Sequence, residues 1–429
     1  MCVGNECLGS GTIDHYIIDM TAEQFRELFD VSPKSIFYKK RIIEHIIDEG
    51  ADTLPNLSKY LEVSVPTASK MVSEMVETGL LENHGKLETS GGRHPFLYGL
   101  NPDNCYFLGV DFTNDKMNLV LVNFSGEQLR EEMDTPFKFE NTVECLDSLC
   151  AEVNRFIDSG DPKDRARIVS VGINIFGRLN PETGYSYTYF NFSEVPLGKV
   201  LSQKIGLNTF IDNDSRAAAF GEYMMNDDEV GKNMLFVNVS WGLGLGIIVD
   251  GKPYAGKSGF SGEFGHIHAY ENEVLCHCGK KGCLETEASG SALHRKFIDR
   301  VLAGGTSSLV DPAENYTRED LEKMISVHDI IEAAVHEDLL CIEIIEEVGQ
   351  NLGMHIASLI NVFNPNTVII GGILARAGDY LLQPLKGAIR KYSLNMVNHD
   401  TKLRTSLLMR YAGVMGACML ARKKAIAQL

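Results

Sequence analysis

No apolar run in the sequence approaches the roughly 20 residues that a membrane-spanning helix needs. The segment Met1–Ser10 also lacks the basic-then-apolar pattern of a secretory signal. Both absences predict a cytoplasmic protein without a membrane partner. An excess of positive charge is missing as well, because 58 acidic residues against 40 basic ones give a net charge of −18. This balance excludes a protein that binds nucleic acid over much of its surface, so any DNA contact is expected to be local and made twice by a dimer.

The ten cysteines are scattered except for three that fall within eight residues: Cys276, Cys278 and Cys283. In a protein expected to be cytoplasmic, such a cluster indicates metal binding rather than disulfides. Together with His266, the three thiolates make a closed tetrahedral set of the kind that holds structural zinc. Soft thiolate ligands exclude magnesium and calcium. His268 is a rival for the fourth position, and His277 is expected to point away from the cluster.

The stretch Ile36–Leu100 has the element order of a winged helix-turn-helix. Apolar residues at helical spacing predict a helix over Tyr38–Glu49 and a short helix over Thr53–Leu61. After a tight turn, a third helix is predicted to begin near Pro66 and to end at Gly79. Two short strand-like segments complete the pattern.

The third helix is the one expected to enter the major groove, with its buried side formed by Met71, Val72, Met75 and Val76. Its outward-facing side chains are the candidate DNA contacts: Thr67, Ser69, Lys70 and Ser73. Arg93, in the glycine-rich link after the strands, is expected to reach a phosphate or the minor groove. The third helix carries one basic residue, Lys70, and two acidic ones, Glu74 and Glu77. A helical adaptor that never touches DNA therefore remains an alternative.

From Asn104 onward the sequence is typical of an α/β fold. Two strand–turn–strand units, Tyr106–Asn123 and Met234–Asp250, resemble each other weakly and predict two lobes with a cleft between them. Their turns are predicted at Phe112–Lys116 and at the glycine-rich segment Trp241–Gly246. Such a glycine-rich turn can bring backbone N–H groups close to phosphate, although a plain hairpin turn is the alternative.

Asn213 and Asp214 follow an apolar strand and precede a helix. Ligands of α/β folds gather at the carboxyl ends of strands, where a carboxylate can act as a general base toward a sugar hydroxyl. The alternative is an ordinary helix N-cap. Glu263 and Glu285 flank the cysteine cluster and could accept hydrogen bonds from vicinal hydroxyls, with solvated glutamates as the alternative.

The segment Gly262–His266, followed by Cys276–Glu285, resembles the signature of the ROK family of repressors, open reading frames and sugar kinases. The resemblance covers about Asn104–Ala421, and further segments that match are Gly177-Arg178, Asn213-Asp214 with Ala217–Glu222, Asn364-Pro365 with Gly371-Gly372, Ala412-Gly413 and Gly416-Ala417. The N-terminal part is similar to the winged helix of the repressor branch, of the N-acetylglucosamine and xylose type.

The resemblance implies a winged helix-turn-helix over residues 36–100, after an extension over 1–35 with a short helix predicted at Thr21–Phe29. It implies a two-lobed actin-like (ribonuclease H-like) sugar-kinase fold over residues 101–429, with a zinc knuckle at 266–283. The implied zinc ligands are His266, Cys276, Cys278 and Cys283. The implied sugar-binding residues are Gly177, Arg178, Asn213, Asp214, Glu263, His266 and Glu285. His266 would then use one ring nitrogen for the metal and the other for the sugar.

The sequence departs from the kinase branch of the family, which carries an Asp-x-Gly-Gly-Thr type turn against the phosphates of ATP. Here the segment Asp111–Lys116 has lost both glycines, and Asp115 adds negative charge where phosphate would approach. Trp241 and Leu243 also replace small or hydroxyl residues. The nucleotide positions are therefore interpreted as vestigial: Asp111, Thr113, Gly244 and Gly372.

Three functions follow from these features. The preferred one is a dimeric or tetrameric repressor that binds operator DNA and a sugar or sugar phosphate. The second is a hexose or N-acetylhexosamine kinase that retains ATP and magnesium, with Asp214 as general base. The third is a sugar sensor whose N-terminal helices bind another protein.

Overall fold

The computed structural model describes residues 33–87, 94–113 and 115–428, without the side chains of residues 226–229. Over these residues the chain divides into two compact units. The first consists of the residues up to Cys105 together with Asp161–Arg167, and the second of Tyr106–Gly160 and Ile168–Gln428. The helix predicted over Thr21–Phe29 and the predicted DNA contact Arg93 lie outside the described residues.

In the first unit, three helices precede a pair of longer strands. The helices are α1 (Pro33–Glu49), α2 (Leu54–Leu61) and α3 (Val65–Glu77). The antiparallel sheet has, in order, β1 (Asp52–Thr53), β3 (Phe96–Leu100) and β2 (Leu81–Lys86). The side chains of Thr53 and Ser64 cap α2 and α3, because each accepts a hydrogen bond from a backbone N–H of the first turn. The predicted order of a winged helix-turn-helix is thus confirmed.

The buried side of α3 differs by one residue from the prediction. Ala68, Met71, Val72 and Met75 are buried, whereas Val76 is exposed. The buried positions follow the i, i+3, i+4, i+7 spacing of one helical stripe, and Val76, one turn after Val72, lies at the exposed margin of that stripe. The structure also shows that His84 and Gly85 lie within β2, at an irregularity of its pairing with β3, and that the backbone N–H of Leu87 still donates to the carbonyl of Pro95.

The second unit contains two five-stranded sheets of the same design. The first sheet has the order β10 (Asn208–Asn213), β7 (Ile168–Ile175), β4 (Tyr106–Thr113), β5 (Lys116–Val122) and β6 (Gln128–Pro136). The second sheet has the order β15 (Lys402–Thr405), β14 (Thr367–Gly371), β11 (Met234–Val239), β12 (Leu243–Val249) and β13 (Lys252–Pro253). In both sheets the first three strands along the chain are antiparallel and the last two join in parallel. The predicted duplication into two lobes is confirmed.

Helices cover both sheets, and each lobe has its own apolar core. Around the first sheet lie α4 (Val143–Asp158), α6 (Leu197–Ile205) and the short pair β8 (Leu179–Asn180) and β9 (Tyr185–Ser186), while α5 (Pro162–Arg167) precedes β7. The later helices are α7 (Asp214–Val230), α8 (Gly290–Leu302), α9 (Arg318–Met324), α10 (Val327–Val335), α11 (Leu339–Phe363), α12 (Asp379–Tyr392), α13 (Asn395–Asp400) and α14 (Ala412–Ala427). Among the described helices, none combines the length and apolar character needed to cross a bilayer.

Both predicted turns are shorter than expected. Strands β4 and β5 pair as far as Thr113 and Lys116, so Phe112 belongs to a strand and its side chain is buried. Gly244 and Gly246 lie within β12 and pair with β11, so the glycine-rich segment is mostly strand. These glycines allow α7 to approach, because a Cβ at Gly246 would collide with the backbone of Ser215.

Helix α14 lies close to the first sheet across two neighbouring glycines. Gly109 on β4 pairs with Gly172 on β7, and a Cβ on either residue would overlap the backbone of α14. Farther along, a Cβ at Gly416 of α14 would overlap the backbone of Ala217 on α7. The sheet, α14 and α7 are therefore held at backbone-to-backbone distance, where no side chain fits.

Gly172→Ala is expected to lower the free energy of unfolding by about 1–3 kcal/mol, because the added methyl group forces α14 away from the sheet. Gly387→Ala is the matched control: Gly387 is exposed within α12, and its Cβ would meet no atom within 4 Å. The control is expected to raise stability by about 0.5–1 kcal/mol, since alanine favours the helix. Urea unfolding followed by circular dichroism measures both, and equal stability of the two variants would contradict this account of the packing.

Candidate functional site

The cysteine cluster and His266 converge in the second lobe. The ligand atoms of His266, Cys276, Cys278 and Cys283 all lie within 4.8 Å of one another. Nδ1 of His266 is 3.6 Å from Sγ of Cys276, and Sγ of Cys278 is 3.6 Å from Sγ of Cys283. A tetrahedral zinc ion with Zn–S bonds of about 2.3 Å requires sulfur atoms roughly 3.8 Å apart. The described geometry is thus suited to one tetrahedral ion.

Local backbone geometry brings these ligands together. Gly279 and Gly282 adopt positive φ angles of 84° and 73°, which residues with a Cβ rarely tolerate. The backbone N–H of Gly279 donates to the carbonyl of Cys276, and that of Cys276 donates to Lys280, closing the knuckle. Burial raises the pKa of the Cys276 thiol well above its usual range.

The other two histidines near the knuckle have different surroundings. His268 is exposed, and its ring is not part of the four-ligand set. His277 does not point away, as had been expected. Its ring centroid is 5.0 Å from that of His266, and its Nδ1 lies 2.8 Å from Oε1 of Glu285. His277 thus contacts the buried carboxylate of Glu285 from the solvent side of the knuckle.

Five of the seven candidate sugar residues form a connected group. Nδ2 of Asn213 donates to the carbonyl of Gly177 at 3.2 Å. Nε of Arg178 is 4.0 Å from Oε2 of Glu263, and the same oxygen lies 3.8 Å from Nε2 of His266. His266 therefore directs Nδ1 to the cysteines and Nε2 to Glu263. A ligand beside Glu263 would meet an imidazole whose orientation depends on the knuckle.

Glu285 differs from the other candidates because its carboxylate already has partners. The side chain is buried, and Oε2 accepts a hydrogen bond from the backbone N–H of Leu243 at 3.0 Å. Glu285 thereby joins the knuckle to the start of β12. The turn before β12 carries Trp241, which is exposed and whose carbonyl accepts a hydrogen bond from the backbone N–H of Ser291.

Asp214 begins α7 next to Asn213, whose Oδ1 accepts hydrogen bonds from the backbone of Ser215 and Arg216. The N-cap interpretation is therefore correct for Asn213. Asp214 itself is half-buried, and burial raises its pKa, with the charge of Glu263 acting in the same direction. A carboxyl group with a raised pKa at a strand end can exchange a proton with a ligand hydroxyl.

The four nucleotide positions have different surroundings: Gly244 and Gly372 lie at close contacts, whereas Thr113 and Asp111 accept side-chain hydrogen bonds. Gly244 faces Ser215 of α7, and Gly372, with φ of 82°, lies against Val239 and Ser240. Thr113 accepts a hydrogen bond from Nδ2 of Asn118 at 3.4 Å.

Asp111, the fourth nucleotide position, is a buried carboxyl group. Oδ1 accepts a hydrogen bond from Nδ2 of Asn174 at 2.7 Å, and Gly413 of α14 leaves space for the side chain. Burial raises the pKa of Asp111 to about 7; the hydrogen bond from Asn174 opposes this rise, and the charge of Asp214 adds to it.

In the first unit, the predicted DNA contacts lie on the outer side of α3. Thr67, Lys70 and Ser73 are exposed, and Ser69 is half-buried. Lys70 is thus free to project outward. Glu74 is partly neutralised, because Lys39 lies 2.8 Å from its Oε2. This ion pair reduces the negative charge on the helix, which the sequence alone could not show.

A pocket that sequence reasoning missed lies next to Arg178. It has a volume of about 630 Å³ and is lined by Arg178, Tyr187, Thr188, Ser258 and Phe260. Alternating aromatic residues between Tyr185 and Phe192 were visible in the sequence and could have indicated an aromatic surface. Only the fold shows that a second loop, containing Phe260, closes the opposite wall.

The sequence profile of the ROK family matches residues 107–424, which includes both sheets, the knuckle and α14. The chain belongs to the ROK family. Within this family, the xylose repressor of Caldicellulosiruptor bescii is 30% identical over 380 residues, covering 88% of this chain and 93% of the relative.

Two solved structures of ROK proteins match different lengths of the chain. A ROK family transcriptional regulator, a homologue of the E. coli MLC protein, has a TM-score of 0.76 and 28% identity, and the match covers 92% of this chain and 96% of that one. A ROK family glucokinase from Streptomyces griseus, solved with glucose and AMPPNP, has a TM-score of 0.62 and 27% identity. That match covers 99% of the glucokinase and 74% of this chain.

The raised pKa of Asp111 in this ROK protein predicts a pH-dependent stability. Because its pKa is about 7 in the folded protein against an ordinary 3.8, the folded state holds the proton more tightly. Because the unfolded chain releases this proton at a lower pH than the folded protein, the free energy of unfolding falls between about pH 4 and pH 7 and levels off above. Asp111→Asn removes this loss and is expected to gain at most about 4 kcal/mol at pH 8, and almost nothing near pH 4.

Urea unfolding at several pH values measures this effect. Asp115→Asn is the control, because Asp115 is an exposed carboxylate just beyond β4. The control is expected to follow the wild-type pH profile. A variant at Asp111 that keeps the wild-type slope between pH 5 and pH 8 would show that this group does not titrate there.

Proposed function

We propose that this ROK protein is a sugar-responsive transcription repressor. In this proposal residues 36–100 bind operator DNA and residues 101–429 bind the sugar. The observation that carries it is the length of the matches: the xylose repressor and the transcriptional regulator extend over about nine-tenths of the chain. The glucokinase is matched over almost its whole length yet leaves a quarter of this chain uncovered. Residues 1–100, which include the winged helix-turn-helix, are close in length to the quarter of the chain that the glucokinase match leaves out.

DNA binding is assigned to the exposed side of α3. Thr67, Ser69, Lys70 and Ser73 would face the major groove, and Arg93 would contact a phosphate or the minor groove. The acidic chain as a whole keeps such contacts local, because its net charge of −18 repels DNA elsewhere. Two copies of the chain would read two half-sites separated by whole turns of DNA.

Sugar binding is assigned to the group around Glu263. Gly177, Arg178, Asn213, Asp214 and His266 would surround the ligand hydroxyls, while Glu285 would hold the knuckle in place. A structural zinc ion on His266, Cys276, Cys278 and Cys283 would fix the His266 ring, so that Nε2 stays directed to the sugar. A differential affinity of about 1–3 kcal/mol between two arrangements is enough to couple sugar binding to DNA release.

A sugar kinase is the second candidate, supported by the similarity to the glucokinase solved with AMPPNP. Asp214 would then accept the proton of the attacking hydroxyl, and ATP with magnesium would supply the phosphoryl group. The turn between Thr113 and Lys116 disfavours this role. Two residues remain between the paired strands, and Asp115 places a negative charge where phosphate would approach.

Lys70→Ala is expected to weaken operator binding without changing sugar affinity. One lost phosphate contact should reduce the slope of log affinity against log salt by about 0.9. Operator fragments selected from random duplex DNA allow measurement by fluorescence anisotropy at several salt concentrations. Lys199→Ala is the control, because Lys199 is an exposed lysine on α6, in the other unit.

A coupled ADP assay on the same preparation tests the kinase: turnover of about 1–1000 per second with a hexose would overturn the repressor proposal.

Cys278→Ala is expected to abolish zinc binding, whereas the wild-type protein should contain about one zinc per chain by elemental analysis. Loss of the ion frees the His266 ring, so sugar affinity should fall roughly 10- to 100-fold. Cys145→Ala, at a buried cysteine of α4 outside the cluster, should keep both zinc and sugar affinity. Pure wild-type protein without zinc would contradict the assignment of a zinc knuckle.

A further inference from the structure

The pocket beside Arg178 extends the candidate sugar site toward two aromatic rings. Its lining combines one charged residue, two hydroxyl residues and two aromatic residues: Arg178, Thr188, Ser258, Tyr187 and Phe260. Arg178 belongs both to this pocket and to the group around Glu263. A volume of about 630 Å³ falls in the range of pockets that bury molecules larger than one sugar ring.

One wall of the pocket is attached directly to the sugar residues. The backbone N–H of Tyr187 donates to the carbonyl of Arg178 at 2.9 Å, and that of Arg178 donates to Oγ1 of Thr188 at 3.0 Å. Gly177 has no room for a Cβ because the side chain of Thr188 packs against it. Tyr187 is therefore held at a defined distance from Gly177 and Arg178.

The opposite wall is anchored as firmly. The carbonyl of Gly259 accepts a hydrogen bond from Nη1 of Arg216 at 3.2 Å, and Arg216 is itself paired with Asp212 in the interior. Gly259 has a φ of 86°, and a Cβ there would overlap the carbonyl of Leu179. Phe260 follows directly. Both rings are thus presented by backbone held in place without a ligand, which limits the entropy lost on binding.

The two rings are exposed although they contact each other. Tyr187 is 51% exposed and Phe260 is 40% exposed, and their centroids lie 5.3 Å apart at 81°. An exposed pair of aromatic rings offers a large apolar area that a ligand can remove from water. One face of a pyranose ring carries only C–H groups, and this face is complementary to such rings.

The charges at the polar end of the pocket favour an uncharged ligand. Arg178, the charged residue of the lining, already has the Glu263 carboxylate beside it, with Nε and Oε2 4.0 Å apart. Arg216 is neutralised by Asp212. A phosphate dianion would compete with Glu263 for Arg178, whereas sugar hydroxyls can donate to Glu263 and leave this pair in place.

We propose that the effector is a neutral two-ring glycoside, a disaccharide, whose second ring packs on Tyr187 and Phe260. The proposal rests on the proposed function, because the first ring is assigned to the residues around Glu263. A monosaccharide at that position would leave the aromatic pair exposed. The second ring of a disaccharide would cover Tyr187 and Phe260, exclude water from both side chains, and contact both walls of the pocket.

Isothermal titration calorimetry on the full-length protein tests this inference. The probes are glucose, xylose and N-acetylglucosamine, their β- and α-linked disaccharides, and the 6-phosphates of the two hexoses. At least one disaccharide is expected to bind about tenfold tighter than its constituent monosaccharide. Tyr187→Ala and Phe260→Ala should each weaken that disaccharide roughly 3- to 10-fold and leave the monosaccharide unchanged.

Two further variants separate ring packing from other effects. Tyr187→Phe keeps the ring and should retain disaccharide affinity. Tyr254→Ala removes a tyrosine with the same 51% exposure that does not line the pocket, and should have no effect. Disaccharides binding no better than monosaccharides, or a sugar phosphate binding best, would overturn the two-ring effector while leaving the repressor proposal intact. Binding of no sugar by the wild-type protein would overturn the sugar-responsive function itself.

Discussion

The closeness of α7 to its neighbours is the constraint on which the rest of this molecule depends. On one side Gly244 and Gly246 of β12 admit the helix to backbone distance, and on the other side Gly416 of α14 does the same. Asn213 and Asp214 stand at the start of this helix, and Asp111 lies beside Gly413 at the start of α14. Because the helix packs this closely on both sides, it has little room to move without its neighbours. Asp214 therefore begins a helix that packs against both β12 and α14.

Much of the fold was predictable because its signals are local. The caps at Thr53 and Ser64, and the apolar stripe of α3, depend on residues within one or two turns of the chain. Strand β6 was missed because Gln128–Pro136 carries charged residues on both faces, as an edge strand can. The strand character of Gly244 and Gly246 was missed for the opposite reason. Glycine is required at these two positions because α7 packs against them, and residues close in sequence give no sign of that contact.

In the candidate site, too, features with local sequence signals could be predicted and features that depend on the fold could not. The four knuckle ligands could be named from spacing and chemistry, and the structure brings their ligand atoms within 4.8 Å of one another. The contact between His277 and Glu285 could not be predicted, because it depends on where the fold buries the Glu285 carboxylate relative to the knuckle. The aromatic pocket was equally hidden. Tyr187 and Phe260 come from loops far apart in sequence, and only packing of Gly259 against Leu179 makes them neighbours.

Trp241 is the one tryptophan of the 429-residue chain, and it stands exposed in the turn between β11 and β12. Its neighbour Gly242 lies against the Glu285 carboxylate, which in turn supports the knuckle. When the protein is excited at the long-wavelength edge, where its 15 tyrosines do not absorb, its fluorescence therefore originates at Trp241, beside the residues that support the knuckle. The molecule carries its own optical reporter, and events in the cleft can be timed without attaching a dye.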